Sequence, residues 1–362
     1  MTIDELRQLE IRRPDPSVRI AAKEHWDRIV KPIDGLGDLE ELICRIAAIH
    51  GTLLPDLSRK ILLVLCADNG IVEEGVSQTG KSVTYDVAAM LGQRRSSVGV
   101  MTKDYELDIL PVDIGIDSDI VPEGVADRKI ARGTENFIKG PAMTVDQCLR
   151  AIETGIELVR DCVREGYSLI ATGEMGIGNT TTSTALLCAL TGIEPAEVVG
   201  RGAGLTKEGL ERKRQVIEKG LKLRFADGSD PDLPEDERTL LAMAEVGGLD
   251  IAGLAGIFIG GARYGVPVVI DGLISAVAAL AAEQLKHGCR EYMIASHNGR
   301  EKGVGEILKR LDLKAILQAD LALGEGSGAV LLFPLLDMAL SLYLNGMVFE
   351  DTGITRYERY PS

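Results

Sequence analysis

Ser168-Leu169-Ile170-Ala171-Thr172-Gly173-Glu174-Met175-Gly176-Ile177-Gly178-Asn179-Thr180-Thr181-Thr182-Ser183 reads as a strand, a glycine-rich turn and the start of a helix. The run 168–171 is apolar and β-rich, and a helical stretch follows at 185–190. Glycines let backbone N–H groups approach an anion, and a helix N-terminus adds a favourable dipole. The hydroxyls of Thr180 to Ser183 supply further donors. A plainer reading is a capped helix after a tight turn, and these residues alone divide evenly between the two.

The same unit recurs outward in both directions. Short β-rich runs stand at 61–66, 109–112, 268–270 and 292–295, with stretches of small-residue helix between most of them. Strand alternating with helix predicts an α/β fold with a mainly parallel sheet, and ligands at the carboxyl ends of its strands. Several runs end where polar or glycine-rich residues begin: Ala67-Asp68-Asn69-Gly70, Asp113-Ile114-Gly115, Thr172-Gly173-Glu174 and Ser296-His297-Asn298-Gly299. Both chain ends are helical. Residues 38–50 carry Leu39, Leu42, Ile43 and Ile46 on one stripe, after the breaker-rich turn Lys31-Pro32-Ile33-Asp34-Gly35-Leu36-Gly37. Segments 1–50 and 331–362 are expected to form a small helical domain, leaving 51–330 as the large α/β domain. Residues 227–237, acidic and proline-containing, read as an exposed loop.

Of 362 residues, 45% are hydrophobic but only 4% aromatic, and 41 are glycine, so small and aliphatic side chains do the packing. A net charge of −15 repels phosphate backbones and argues against nucleic acid as a partner. The six cysteines form no C-x-x-C pair and mostly sit in apolar segments, as reduced thiols of a cytoplasmic protein would. The acidic, amphipathic N-terminus is unlike a signal peptide, and Asp337 interrupts the apolar run 329–344, so no membrane span is expected.

Gly75-Val76-Ser77-Gln78-Thr79-Gly80-Lys81-Ser82 fits the phosphate-loop pattern G-x-x-x-x-G-K-[ST] letter for letter. A phosphate loop starts directly after a strand, whereas here eight residues intervene and two of them are Glu73 and Glu74. Its acidic partner strand would be sought in Val266-Pro267-Val268-Val269-Ile270-Asp271, where Pro267 cannot donate to a central ladder. An ATPase reading is therefore the lesser alternative. Gly200-Arg201-Gly202-Ala203-Gly204-Leu205-Thr206 leads into a helix bearing Lys207, Arg212, Lys213 and Arg214, either a second phosphate-facing wall or, more simply, a solvated basic face. In Leu323-Gly324-Glu325-Gly326-Ser327-Gly328 a carboxylate stands between glycines, where a ligand can come close, so Glu325 is a candidate general base. His297 reads as a polar loop residue. No histidine has metal-ligand spacing to another His or Cys, so neither a metal site nor a cofactor is expected.

In this order the segments resemble the nicotinate-nucleotide:dimethylbenzimidazole phosphoribosyltransferase family, which makes the lower-ligand nucleotide of cobamides. The resemblance covers most of the chain. It is carried by Lys31-Pro32 with Gly35-Leu36-Gly37, by Ala67 to Val72, by Glu74-Gly75-Val76-Ser77 and by Val112-Asp113-Ile114-Gly115. Gly133-Thr134, Gly140-Pro141-Ala142-Met143-Thr144, and above all Gly173 to Thr181 and Leu323 to Gly328, complete it. It implies a Rossmann-like sheet, the small helical domain from both chain ends, and a homodimer. It implies that Glu325 is the catalytic base, with Glu174 in the same site, and that the donor phosphate lies near Gly176, Gly178, Asn179, Thr180, Gly202 and Lys213, with Ser296 close by. The substrates implied are nicotinate mononucleotide and a benzimidazole-type base. Small residues near Ser77 and Leu323 suggest an apolar acceptor slot. The family often has His at Asn69, and this departure, with Gln78 to Lys81, falls where the acceptor base is expected. Some relatives act as paired subunits on phenolic acceptors, which leaves a non-catalytic partner subunit as a further alternative.

Overall fold

The run Lys60–Ala67 is buried at every position, as a strand covered on both faces must be. It forms the central strand β1 of a parallel sheet in the computed structural model, which describes residues 1–80, 82–202, 204–226 and 232–359. Lys81, Ala203, part of the acidic loop 227–237 and the last residues of the 331–362 segment lie outside the described residues. Around β1 stand β2 (Asp108–Gly115), β3 (Ala126–Asp127), β4 (Leu169–Met175), β5 (Val268–Ile270) and β6 (Met293–Ala295). Their order is β3-β2-β1-β4-β5-β6, and every neighbouring pair is parallel. The expected strands all form; only the two-residue edge strand β3 and the pair β7 (His297–Asn298) and β8 (Leu317–Gln318) lacked a signal in the sequence. Pro267 stops just short of β5, and its carbonyl accepts from the Ile170 amide at 3.1 Å.

Among the described residues the helices are α1 (Ile3–Gln8), α2 (Pro16–Trp26), α3 (Asp38–His50), α4 (Ser82–Gly92), α5 (Ser97–Met101), α6 (Val145–Arg164) and α7 (Asn179–Thr191). They continue with α8 (Pro195–Val198), α9 (Lys207–Arg224), α10 (Glu235–Val246), α11 (Leu249–Tyr264), α12 (Leu273–Leu285), α13 (Gly303–Arg310) and α14 (Ser327–Asn345). Alternate residues of β1 face two cores. Ile61, Leu63, Leu65 and Ala67 join one with α6, α10, α11 and α12; Leu62, Val64 and Cys66 join the other with α2, α3 and α14. The first core explains the glycine content. A Cβ at Gly253 would lie 2.6 Å from side-chain atoms of Ile114 and Leu65, and one at Gly260 2.9 Å from Val159, so α11 seats against the sheet and α6 only because it is smooth.

The terminal segments divide differently from the expected 1–50 and 331–362 grouping. Helices α2, α3 and α14 share the second core, but α1 crosses to the first: Leu6 is buried there, Arg7 pairs with Asp236 and Glu237, and Lys286 Nζ donates to Arg7 O. Moreover, the second core includes sheet residues, so these helices form a layer on the sheet face. Helix α14 is, by length and composition, apolar enough to cross a membrane. Here Leu332, Phe333 and Leu336 are buried against the sheet side, and Asp337 pairs with Lys60 at 2.9 Å.

Candidate active site

In this strand order the chain turns in opposite directions from β1 and β4, which opens a crevice beyond their carboxyl ends. A cavity of roughly 260 Å³ lies at the carboxyl ends of β4 and β5. Its wall includes Ser77, Glu174, Gly176, Gly178, Asn179, Thr180, Gly202 and Leu323, which sequence reasoning had named, together with Gly324 and Ser327. Three other expected residues are not in the wall itself: Lys213 and Ser296, which are buried, and the half-buried Glu325 beside the lining residue Gly324.

The glycine loop leaves β4 at Met175 and enters α7 through Gly178, whose φ of 94° belongs to the left-handed region. A Cβ there would also lie 2.7 Å from Val72 Cγ2. No side chain caps α7; the Asn179 amide donates to Gly176 O at 3.2 Å and the Thr181 amide to Gly178 O at 2.9 Å, so the loop's own carbonyls hold the first turn. Lys213, on α9, is 1% exposed, and its Nζ donates to Thr180 Oγ1 at 2.9 Å and Gly200 O at 3.1 Å. An ammonium carries three N–H donors, so one remains beside Thr180. Burial pulls its pKa down to about 8, against the attraction of Glu301. The basic helix thus sends one lysine inward, so the solvated-face reading fails for Lys213.

Glu174 is buried at the end of β4, with its carboxyl in the cavity wall. Asn179 Nδ2 donates to its Oε2. Burial, reinforced by the charge of Asp250, pushes its pKa from the ordinary 4.5 up to about 8. Glu325 follows Gly324 and adopts a φ of 59°, rare for a residue with a side chain. Its Oε2 accepts from the Val98 amide at 3.0 Å, at the start of α5. It is half-buried, and its backbone packs on Gly173, where a Cβ would lie 2.9 Å from its carbonyl oxygen. The two carboxyls are near enough for the charge of Glu325 to raise the Glu174 pKa.

Asp271 fixes the Glu325 loop. It follows β5, and Oδ1 accepts from the Gly328 and Ala329 amides at 2.8 and 3.0 Å while Oδ2 accepts from Gly326 at 3.2 Å. It therefore caps α14. In the sequence Asp271 stood only at the end of the acidic partner strand sought for the phosphate-loop pattern; an acid directly after a strand was the signal available.

Ser296 is fully buried and its Oγ donates to Ile270 O at 2.6 Å, so it ties β6 to β5 behind the wall. Having used its single proton there, it accepts from His297 Nδ1 at 2.9 Å. His297 is correspondingly 4% exposed, lies in β7 and lines the cavity, which corrects its reading as a polar loop residue. Burial lowers its pKa, favouring the neutral ring.

One further expectation changes. Asn69 is fully buried beneath the glycine loop, its Nδ2 donating to Ile177 O at 3.4 Å, and it is not among the cavity-lining residues. Gln78, by contrast, lines the cavity and donates to Gly204 O. The phosphate-loop pattern lacks its structural context: β1 ends at Ala67, and a 3₁₀ turn, Gly70–Glu74, precedes Gly75.

Residues 11–354 match the family described as phosphoribosyltransferase. A nicotinate-nucleotide–dimethylbenzimidazole phosphoribosyltransferase of Ruminiclostridium cellulolyticum is 44% identical over 337 residues, covering 93% of this chain and 94% of the relative. That of Clostridium acetobutylicum is 42% identical over 344 residues, covering 95% and 96%. Among solved structures, CobT from Thermus thermophilus superposes with a TM-score of 0.87 at 37% identity, over 94% of this chain and 100% of that one.

Proposed function

The chain belongs to the nicotinate-nucleotide–dimethylbenzimidazole phosphoribosyltransferase family, and from that premise we propose that it moves the ribose 5-phosphate of nicotinate mononucleotide onto 5,6-dimethylbenzimidazole or a related base. The products are α-ribazole 5'-phosphate and nicotinate, which places the chain in assembly of the cobamide nucleotide loop.

The observation that carries this reading is the pairing, around one cavity, of an anion-suited loop with a carboxyl of high proton affinity. Gly176, Gly178, Asn179 and Thr180, with Gly202 and Lys213 beside them, suit the donor phosphate. A protein of charge −15 holds an anionic donor through such local groups. Val76, Ile274 and Leu323, with the small Ser77 beside them, offer the apolar surface a flat acceptor ring needs. The nicotinate ring of the donor is a pyridinium, so it departs neutral and needs no proton from the enzyme. A benzimidazole nitrogen attacks C1 of the ribose from the opposite face, which inverts the anomeric centre from β to α. The attacking ring becomes cationic, and its other N–H must be removed. We assign that proton to the Glu174–Glu325 pair: Glu325 is the base that takes it, and Glu174, the neighbouring carboxyl of high proton affinity, shares it. A positioned base supplies about 10²–10⁴-fold in rate, and alignment of two planar substrates supplies much of the remainder.

The acting unit is read as a homodimer in the cytoplasm. Leu331 and Met338 of α14 and Val100 and Met101 of α5 are exposed, an apolar face suited to a second copy. The cysteines are free and buried, as a reducing compartment allows. The decisive experiment incubates the purified chain alone with nicotinate mononucleotide and a panel of bases, in EDTA, with products read by mass spectrometry. An α-ribotide from a benzimidazole supports the reading. No ribotide from any base overturns it, and activity regained only with a second subunit supports the paired-subunit alternative. Light scattering that returns a monomer overturns the dimer.

A further inference from the structure

Asp250, at the start of α11, is a buried acid that the transfer reaction as described leaves without a task. Its side chain is 0% exposed, and among the described residues no cation pairs with it. Its hydrogen bonds come from the Ile251 amide at Oδ1, 3.0 Å, and from Asn179 Nδ2 at Oδ2, 3.1 Å. A buried carboxylate without a cation is costly, and the surroundings are shaped to keep it. A Cβ at Gly176 would lie 3.0 Å from Asp250 Oδ2, and one at Gly248 would overlap Oδ1.

The single amide nitrogen of Asn179 also donates to Glu174 Oε2. Nδ2 carries two N–H groups and no acceptor. Both are thus spent on buried acids, which are fixed on either side of one nitrogen. Such an amide passes no proton between them, but it sets their spacing and lets the charge of one act on the other.

We propose that Asp250 is a positioning residue for the transfer: its charge, held at fixed distance by Asn179, keeps Glu174 a strong proton acceptor. This rests on the assignment of the acceptor's proton to the Glu174–Glu325 pair. The groups facing the two acids are Asp68 after β1, Asp271 after β5, Glu325 before α14 and the Cys66 thiol of β1, all of them acidic or neutral. Burial lifts the Asp250 pKa to about 6 and that of Glu174 to about 8. Each acid's charge opposes ionisation of the other across Asn179, so a charge on Asp250 keeps the Glu174 proton in place.

The test reads Glu174 directly, from the carboxyl C=O stretch in infrared difference spectra against Glu174→Gln. In Asp250→Asn, the Glu174 midpoint falls by roughly one pH unit, the acid limb of the kcat profile falls with it, and the kcat plateau drops by up to about tenfold as the Glu174–Glu325 pair holds the acceptor's proton less tightly. A merely structural role raises the donor KM and leaves the midpoint in place; a folded Asp250→Asn with an unmoved midpoint overturns the proposal. Asp250→Ser, smaller and uncharged, carries the same expectation if Asp250→Asn does not fold. The wild-type titration decides independently of either variant: a Glu174 midpoint at the ordinary value of 4.5 overturns the coupling. Near-normal kcat in both Glu174→Gln and Glu325→Gln would instead refute the proton assignment, while the infrared midpoints still report on Asp250.

Discussion

Replacing Glu174 with Gln removes a proton that the folded protein holds far more tightly than the unfolded chain does. The carboxyl rises from 4.5 to about 8 on folding, chiefly because it is buried and secondly because Asp250 is charged beside it. A raised pKa means that the folded state keeps a proton which the unfolded chain releases. The stabilisation is complete below pH 4.5, declines as pH rises, and is gone above about pH 8. At 1.36 kcal/mol for each pH unit, the wild type loses about 3–5 kcal/mol across that window from this group. The substituted amide cannot titrate and keeps a comparable volume. The difference in unfolding free energy between variant and wild type should therefore shift in the variant's favour by that amount between about pH 5 and about pH 9. Urea denaturation at both pH values, with the slope m held common, measures it. A difference that stays constant from one pH to the other would show that Glu174 carries no raised pKa, and with it would go the argument for a proton acceptor poised near neutrality.

Glu325→Gln should lower kcat by roughly 10²-fold or more with an unchanged circular-dichroism spectrum; near-normal kcat would remove it as the base. Lys213→Ala should raise the KM for nicotinate mononucleotide by about 10–150-fold, the worth of a charge-assisted contact of about 1.5–3 kcal/mol, yet leave KM for the phosphate-free riboside unchanged. Because burial pulls the Lys213 pKa down to about 8, donor binding should also weaken as pH rises past that value. Asp271→Ala leaves three amides of the Glu325 loop without their acceptor and should cost about 1–3 kcal/mol in urea while lowering kcat; full stability would mean that the loop holds itself. Competition between benzimidazole and its methylated forms should give kcat/KM values within about 200-fold, since one methyl is worth only about 1–3 kcal/mol in an apolar slot, and strict use of a purine would refute that slot.

Local pattern carried the strands and the two glycine loops, because an apolar run that meets glycines and polar residues signals a strand's carboxyl end in four or five letters. The loop 173–180 and the loop 323–328 were visible for that reason. What local pattern does not carry is which ends meet. Asp250 opens a helix 76 residues beyond Glu174, with nothing around it but the capping-like Gly247-Gly248, and only the packing of α11 against β1 and β4 brings it to Asn179. His297 follows a strand just as a loop residue would, and its burial depends on β8 lying alongside. Helix α1 resembles its terminal neighbours in composition, but Leu6 packs into the first core and Arg7 pairs with Asp236 and Glu237 there, contacts that only the packed chain reveals.

One signal did run through the sequence in a form that tertiary structure makes meaningful. Adjacent strands β2, β1, β4 and β5 each bring an acid to the carboxyl end: Asp113, Asp68, Glu174 and Asp271. Each alone is an ordinary turn residue. Parallel pairing sets them in a row, and each acid then meets a different fate. Lys129 neutralises Asp113 at 2.9 Å, backbone amides of the α14 turn satisfy Asp271, and Asp68 accepts from the Asp117 amide at 2.8 Å. Glu174 is left with a single neutral amide donor and the charge of Asp250 behind it. Of four acids on one sheet edge, Glu174 and Asp271 line the cavity, and Glu174 is the less compensated of these two, which is where a site that must accept a proton from its substrate has reason to leave it so.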